Sequence, residues 1–229
     1  MIASNRHCKS LRARIKGKGK VRGYTLVELV VALTMVTILT AVSIPYLFNY
    51  RRLYRTEDQA LKIMDLMREA GQLAITRRRI MRVEIDLTAN QILLIDGNGP
   101  GDADDTEVKA LPLDQVGDVR MDQIPLGVTP PNPPNYNAAV FAVDAIGHLR
   151  GATPVIGNTV WQIAFLTNGS VVNAGTTTPV SATLYIWPPS ASASLTPRST
   201  GEVRAITMFG GSGAVRYWKY DGTAFVPSQ

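Results

Sequence analysis

Three residues near the start of the chain have types and a spacing that could do chemistry: Gly23, Tyr24 and Glu28. If a peptidase cut the chain after Gly23, the new α-amine of Tyr24 would carry a positive charge about one helical turn from the Glu28 carboxylate. A charge at the centre of a membrane helix costs about 2.5–3.5 kcal/mol, and less near the interface. The spacing therefore favours an ion pair between Glu28 of one subunit and the Tyr24 amine of a neighbour. An interfacial glutamate without a role is the plainer interpretation.

A long apolar segment carries these residues. From Leu29 to Tyr50 there are 22 residues without a charge. As a helix this segment is about 33 Å long, enough to cross a hydrocarbon core of about 30 Å. Residues 1–23 contain eight Lys and Arg and no acid, which predicts a leader that stays in the cytoplasm. A secretory signal peptide cut near Ala41-Val42-Ser43 is the alternative, although its apolar core is usually about 7–15 residues long.

The basic charge of the chain lies in this leader. Removing its eight cations from the net charge of +6 leaves −2 for a chain that starts at Tyr24. A nucleic-acid partner is therefore not expected. Cys8, the one cysteine of the sequence, also lies in the leader, so the mature chain is predicted to contain neither a disulfide nor a reactive thiol.

The stretch Gly23-Tyr24-Thr25-Leu26-Val27-Glu28-Leu29 resembles the signal sequence of type IV prepilins and type II secretion pseudopilins. The resemblance implies that a prepilin peptidase cleaves after Gly23 and methylates the amine of Tyr24. It also implies that Glu28 acts in assembly. Pro45 matches a proline that kinks the helix in this family, and Tyr24 replaces the usual phenylalanine with another aromatic ring.

The rest of the chain predicts one amphipathic helix followed by short strands. Residues 49–79 place apolar side chains at steps of three and four, which indicates a helix continuous with the membrane span apart from a bend at Pro45. The strand candidates are bounded by Gly, Pro, Asn and Asp: Ile80–Leu87, Gln91–Ile95, Glu107–Leu111, Val119–Ile124, Ala139–Val143, Val160–Thr167, Val180–Trp187, Glu202–Phe209 and Ala214–Tyr220. We expect an α+β, pilin-like fold, with a long N-terminal helix packed on an antiparallel β-sheet domain.

Four segments follow from this interpretation. They are a cleaved leader (1–23), a transmembrane and assembly helix (24–48), the amphipathic half of the same helix (49–79) and a periplasmic β-rich domain (80–229). The stretches 70–87 and 201–220 resemble the GspH/FimT subgroup of minor pseudopilins and pilins. That resemblance implies a single-pass inner-membrane protein with its C-terminal domain in the periplasm, which later enters a filament.

Other residues predict little chemistry. The acidic, glycine-rich loop after residue 95 offers weak Ca²⁺ candidates in Asp96, Asn98, Asp102 and Asp104, but their spacing does not match an EF-hand, and a solvated turn is the plainer interpretation. His148 is the single histidine of the mature chain, which argues against a zinc site or a Ser-His-Asp triad. Gly210-Gly211-Ser212-Gly213 predicts a hairpin turn rather than a phosphate loop. We expect no catalytic residues, no cofactor apart from Ca²⁺ as a weak candidate, and no enzyme activity.

The sequence thus predicts a structural minor pseudopilin or pilin. Its expected partners are prepilin peptidase, other pilin or pseudopilin subunits and the inner membrane. The sequence leaves open whether the filament serves type II secretion, a type IV pilus or DNA uptake. The alternative is a binding or adhesion module anchored in the membrane or at a pilus tip, with recognition by the loops 96–107, 129–137 and 188–200.

Overall fold

The computed structural model describes residues 23–97, 105–114, 118–132, 134–192 and 194–228, without the side chains of 45–53 and 122. The chain forms two compact units, Met1–Leu47 and Phe48–Gln229. Helix α1 spans Leu26–Arg77 and contributes to both units. It covers the two segments predicted as helix, 24–48 and 49–79, except for two residues at each end. The side chain of Pro45 lies outside the described part of the structure, so the bend there stays a prediction.

The strands of the second unit form two sheets. The bounds of the strands are β1 Ile80–Asp86, β2 Gln91–Gly97, β3 Thr106–Pro112, β4 Arg120–Asp122, β5 Asn137–Ala138, β6 Ala142–Val143, β7 His148–Arg150, β8 Thr153–Val155, β9 Thr159–Phe165, β10 Val171–Asn173, β11 Ala182–Trp187, β12 Arg204–Met208, β13 Val215–Tyr220 and β14 Phe225–Ser228. The first sheet has the order β10-β9-β1-β2-β3-β7-β8, with β6 beside β9. The second has the order β14-β13-β12-β11-β4, with β5 beside β11.

The sequence predicts the long strands well. The β1–β2 hairpin is confirmed, with Ile80 opposite Gly97 and Asp86 opposite Gln91, and so is the turn at 210–213 between β12 and β13. The candidate Ala139–Val143 shortens to Ala142–Val143. Strands β5, β7, β8, β10 and β14 have two to four residues, too few for a periodicity to show.

One core joins the helix to both sheets. The part of α1 in the second unit buries one face, and β1 and β11 point alternate side chains toward it. This core includes Ala60, Ile63, Leu66, Met67 and Ala70 of α1, Met81, Val83 and Ile85 of β1, and Leu184 and Ile186 of β11. The α+β fold class is therefore confirmed, with the predicted sheet layer divided into two sheets.

The far face of each sheet is also covered. Behind the second sheet, Tyr185, Trp187, Trp218 and Tyr220 pack in a smaller aromatic core. Behind the first sheet the buried side chains of β1 are polar, because the alternation that turns Val83 toward the helix turns its neighbours away. Arg82, Glu84 and Asp86 are each at most 1% exposed.

A candidate assembly site and a buried polar cluster

The first turn of α1 is capped by Thr25. Its hydroxyl oxygen accepts a hydrogen bond from the backbone N–H of Glu28 at 3.2 Å, and its carbonyl accepts from the N–H of Leu29 at 3.1 Å. The Thr-x-x-Glu spacing is that of a capping box, and an acid in the first turn is favoured by the helix dipole. Sequence reasoning assigned Thr25 no role, although this spacing signals one. The cap fixes the start of the helix directly after the predicted cleavage point.

The structure brings Gly23, Tyr24 and Glu28 to the exposed N-terminal end of this helix. Tyr24 is 79% exposed and Glu28 is also exposed. In the uncut chain the nitrogen of Tyr24 is an amide, so no α-amine exists there. Among the described residues, none forms an ion pair with the Glu28 carboxylate. The carboxylate is thus accessible to a cation from another molecule, while the roles of the three residues in cleavage, methylation and assembly stay predictions.

The helix behind the cap has an apolar surface all round. Leu26–Ile44 is long and apolar enough to cross a membrane, and none of it is buried within the chain. Its three threonine hydroxyls donate to backbone carbonyls of the preceding turn at 2.7–2.8 Å, namely Thr34, Thr37 and Thr40. Because these donors are satisfied inside the helix, the surface suits lipid or the packed helices of an assembly.

A second group of residues meets behind the first sheet. Glu84 on β1 lies beside Asp144 and His148, and one ligand atom from each residue lies within 4.8 Å of the other two. All three residues are buried, with exposed fractions of 0%, 4% and 1%. The separation between Nδ1 of His148 and Oε1 of Glu84 is 3.7 Å. Neither carboxylate oxygen of Glu84 and neither ring nitrogen of His148 has a hydrogen-bond partner.

Arg82 supports this group from the same strand. Its Nη2 donates to the carbonyl of Gly147 at 2.6 Å and lies 3.4 Å from Asp105. Its Nη1 donates to Gln162 at 2.9 Å, and Gln162 in turn donates to Asp144 at 3.1 Å. Gly147 adopts a positive φ of 76°, a conformation that glycine adopts without strain. The guanidinium therefore bonds to neutral oxygens and lies beside one carboxylate, and it makes no hydrogen bond to Glu84.

Burial shifts both ionisable partners toward their neutral forms. Desolvation, with the charge of Asp144 adding to it, raises the pKa of Glu84 to about 7. Desolvation also lowers the pKa of His148, and the nearby Arg82 charge acts in the same direction. Beside Asp144, the group therefore contains an acid that resists ionisation and a neutral imidazole, and a neutral imidazole is a ligand type for metal ions.

Sequence reasoning missed this group. The alternation in β1 places Arg82, Glu84 and Asp86 on one face, but nothing in it shows that residues some 60 positions later cover that face. A single histidine without cysteines also gives no motif spacing.

The predicted Ca²⁺ loop is described in part. Asp96 accepts a hydrogen bond from Arg79 at 3.0 Å, and this guanidinium competes with a bound cation. Asn98, Asp102 and Asp104 lie outside the described residues, so Ca²⁺ binding by this loop stays a prediction.

The comparisons with known proteins bear on the N-terminal segment. Residues 18–44 match the prokaryotic N-terminal methylation motif. No curated protein and no solved structure matches the chain significantly. The motif supports a type IV pilin-like protein that is processed by prepilin peptidase and assembles with other pilin subunits, and together with the apolar helix it supports membrane anchoring.

Proposed function

We propose that the chain is a minor pseudopilin or pilin of the GspH/FimT kind, a structural subunit of a type II secretion or type IV pilus filament. Prepilin peptidase cleaves the Gly23–Tyr24 bond and methylates the new amine. The helix then moves from the bilayer into a filament, with the second unit outside the membrane. A head-to-tail contact that does not close generates such a helical filament.

The observation that carries this proposal is the exposed apolar helix with one carboxylate in its first turn. None of Leu26–Ile44 is buried by the described part of the chain, so this surface needs lipid or the helices of other subunits. The methylation motif covers the same residues. A cation would stabilise the Glu28 carboxylate in either environment, and cleavage would create one at Tyr24. Pairing with a neighbouring subunit would set the axial register of the helices.

The first test is the N-terminal mass of the protein purified from its native membranes. We expect a chain that begins at Tyr24 and carries one added methyl group on its amine. An uncut chain, or one that begins near Ile44, would contradict the proposal and leave an ordinary anchored or secreted domain.

The role of Glu28 is tested separately with Glu28→Gln, which keeps the shape of the side chain and removes its charge. We expect normal membrane insertion, with incorporation into filaments reduced at least tenfold. Asp65→Asn, which removes an exposed carboxylate further along the same helix, serves as the control and should assemble normally. Normal assembly of Glu28→Gln would rule out this role.

The alternative function has its own test. If the second unit binds a ligand and the protein does not assemble, the adhesion module is favoured instead.

A further inference from the structure

The buried group behind the first sheet has no place in the proposed assembly function. It lies in the second unit, and none of its residues belongs to the apolar helix. We propose that Glu84, Asp144 and His148 bind one divalent transition-metal ion, with Zn²⁺ as the best fit. The ion would join strand β1 to the segment that contains Asp144 and His148.

The first argument is the unsatisfied state of two buried side chains. Glu84 is fully buried and His148 is 1% exposed, yet all four of their polar side-chain atoms lack a hydrogen-bond partner. Buried polar groups nearly always have partners, and a buried carboxylate without one is costly. Both side chains point toward the same site, where their nearest polar atoms lie 3.7 Å apart. A cation between them would satisfy both.

The second argument is the balance of charge. Four carboxylates in this region are at most 4% exposed, and one guanidinium accompanies them: Glu84, Asp86, Asp105 and Asp144 with Arg82. With all four carboxylates ionised and His148 neutral, these side chains carry a charge of −3, and with Glu84 protonated they carry −2. A divalent ion would change these charges to −1 and 0. Arg82 does not take the place of the ion, because it is already engaged by Gly147, Gln162 and Asp105.

The third argument is the set of ligand types and its geometry. One imidazole and two carboxylates are ligands that Zn²⁺ and related first-row ions accept, with an open position for water. Ligand atoms at about 2.1 Å from an ion lie roughly 3–4.2 Å from one another. The observed separations of up to 4.8 Å require a small contraction, and the 3.7 Å pair already lies within the range.

The surrounding loop also holds one ligand in place. Asp144 Oδ1 accepts from the N–H groups of Ile146 at 3.0 Å and Gly147 at 3.2 Å, and from Gln162. Oδ2 accepts from Gly147 at 3.1 Å and keeps a free lone pair. Hydrogen bonds of this kind hold a ligand side chain in its orientation before the metal ion binds. Because a chain that starts at Tyr24 has no cysteine, the ion would supply a link between distant segments that a disulfide cannot supply.

A proton on Glu84 is the competing occupant of the site. Its carboxyl group, when neutral, would meet the neutral imidazole of His148 without an ion. The two occupants predict different responses to a chelator. Removal of a metal ion lowers the thermal stability of the protein, whereas a chelator leaves the stability of a protonated pair unchanged.

The test uses the full mature chain in detergent, purified without a polyhistidine tag, stripped with EDTA and desalted. Zn²⁺ is then added, and the metal content and the midpoint of thermal unfolding are measured. We expect one Zn²⁺ per chain and a higher midpoint. Co²⁺ in place of Zn²⁺ should give visible d–d absorption bands from the same site.

Two variants separate a ligand role from a general structural role. Glu84→Gln and His148→Gln should each weaken Zn²⁺ binding at least tenfold and remove the Co²⁺ bands. The metal-free Glu84→Gln protein should unfold no lower than the metal-free wild type, because it removes an unpaired carboxylate. Glu69→Gln, at a half-exposed carboxylate paired with Lys109, is the control and should bind Zn²⁺ like the wild type. Absence of bound Zn²⁺ from the wild type, or equal binding by Glu84→Gln, would overturn the proposal whatever the assembly state of the protein.

Discussion

At the scale of single residues, the position of a charged side chain decides how much it contributes to the free energy of unfolding. Glu57 on α1 lies 2.5 Å from Nζ of Lys219 on β13 and 3.7 Å from Nη2 of Arg204 on β12. The hydrogen bond from Lys219, followed by the charges of Lys219 and Arg204, lowers the pKa of Glu57 below its usual 4.5. This pair links the helix to the second sheet at a partly exposed position, so its effect is screened by water and its contribution is modest.

The first prediction at this scale concerns pH. A carboxylate whose pKa is lowered by folding stabilises the protein above its unfolded pKa, and this stability is lost as the pH falls through the lowered pKa. Glu57→Gln should therefore reduce the free energy of unfolding by about 0.5–1 kcal/mol at pH 7. The difference from the wild type should shrink as the pH falls below 4.5, the usual pKa of this carboxyl. Urea unfolding of the variant and the wild type between pH 3 and pH 7 measures this difference in the free energy of unfolding.

The control for this prediction is the neighbouring Asp58→Asn. Asp58 pairs with Lys62 on the same exposed helix surface, and its loss should change stability less than the loss of Glu57. An equal and pH-independent loss in both variants would contradict the assignment of the pKa shift to Lys219.

At the scale of elements, α1 shows how the same residue type serves two surfaces. Leu66 is 1% exposed and lies in the core shared by both sheets, whereas Leu61, five residues earlier, is 37% exposed. Leu66→Ala removes buried methyl groups and leaves a cavity, so it should cost about 2–4 kcal/mol in the free energy of unfolding. Leu61→Ala has the same effect on helix propensity and should cost less than about 1 kcal/mol. Chemical denaturation of both variants tests this, and similar losses would contradict the assigned helix face.

The elements also show which parts of the structure the sequence predicts. The alternation from Ile80 to Asp86, followed by a turn in which Asn90 adopts a positive φ of 52°, is local information, and it predicts the first hairpin correctly. The meeting of Glu84 with His148 depends on the parallel pairing of β3 with β7, where Thr106 lies opposite Leu149. No local pattern records that pairing, because β7 has three residues. The assembly motif is predictable because its residues lie within six positions of one another. The buried cluster is not predictable from the sequence, because its residues come from distant parts of the chain.

At the scale of the whole molecule, the two units have different surfaces. The first unit exposes large apolar side chains from Leu26 to Ile44, which suits a membrane or a filament interior. The second unit has its own core, whose helical members among the described residues begin at Ala60. None of Leu26–Ile44 belongs to that core. We therefore expect the second unit to fold by itself.

This separation gives the last prediction. A chain that begins at Phe48 should remain monomeric in buffer without detergent, because it lacks the exposed apolar helix. It should unfold cooperatively, with a urea midpoint close to that of the mature chain in detergent. Leu66→Ala should cost the shortened chain as much free energy as it costs the longer one, since their core is the same. Precipitation of the shortened chain, or a broad transition, would show that the second unit depends on residues before Phe48.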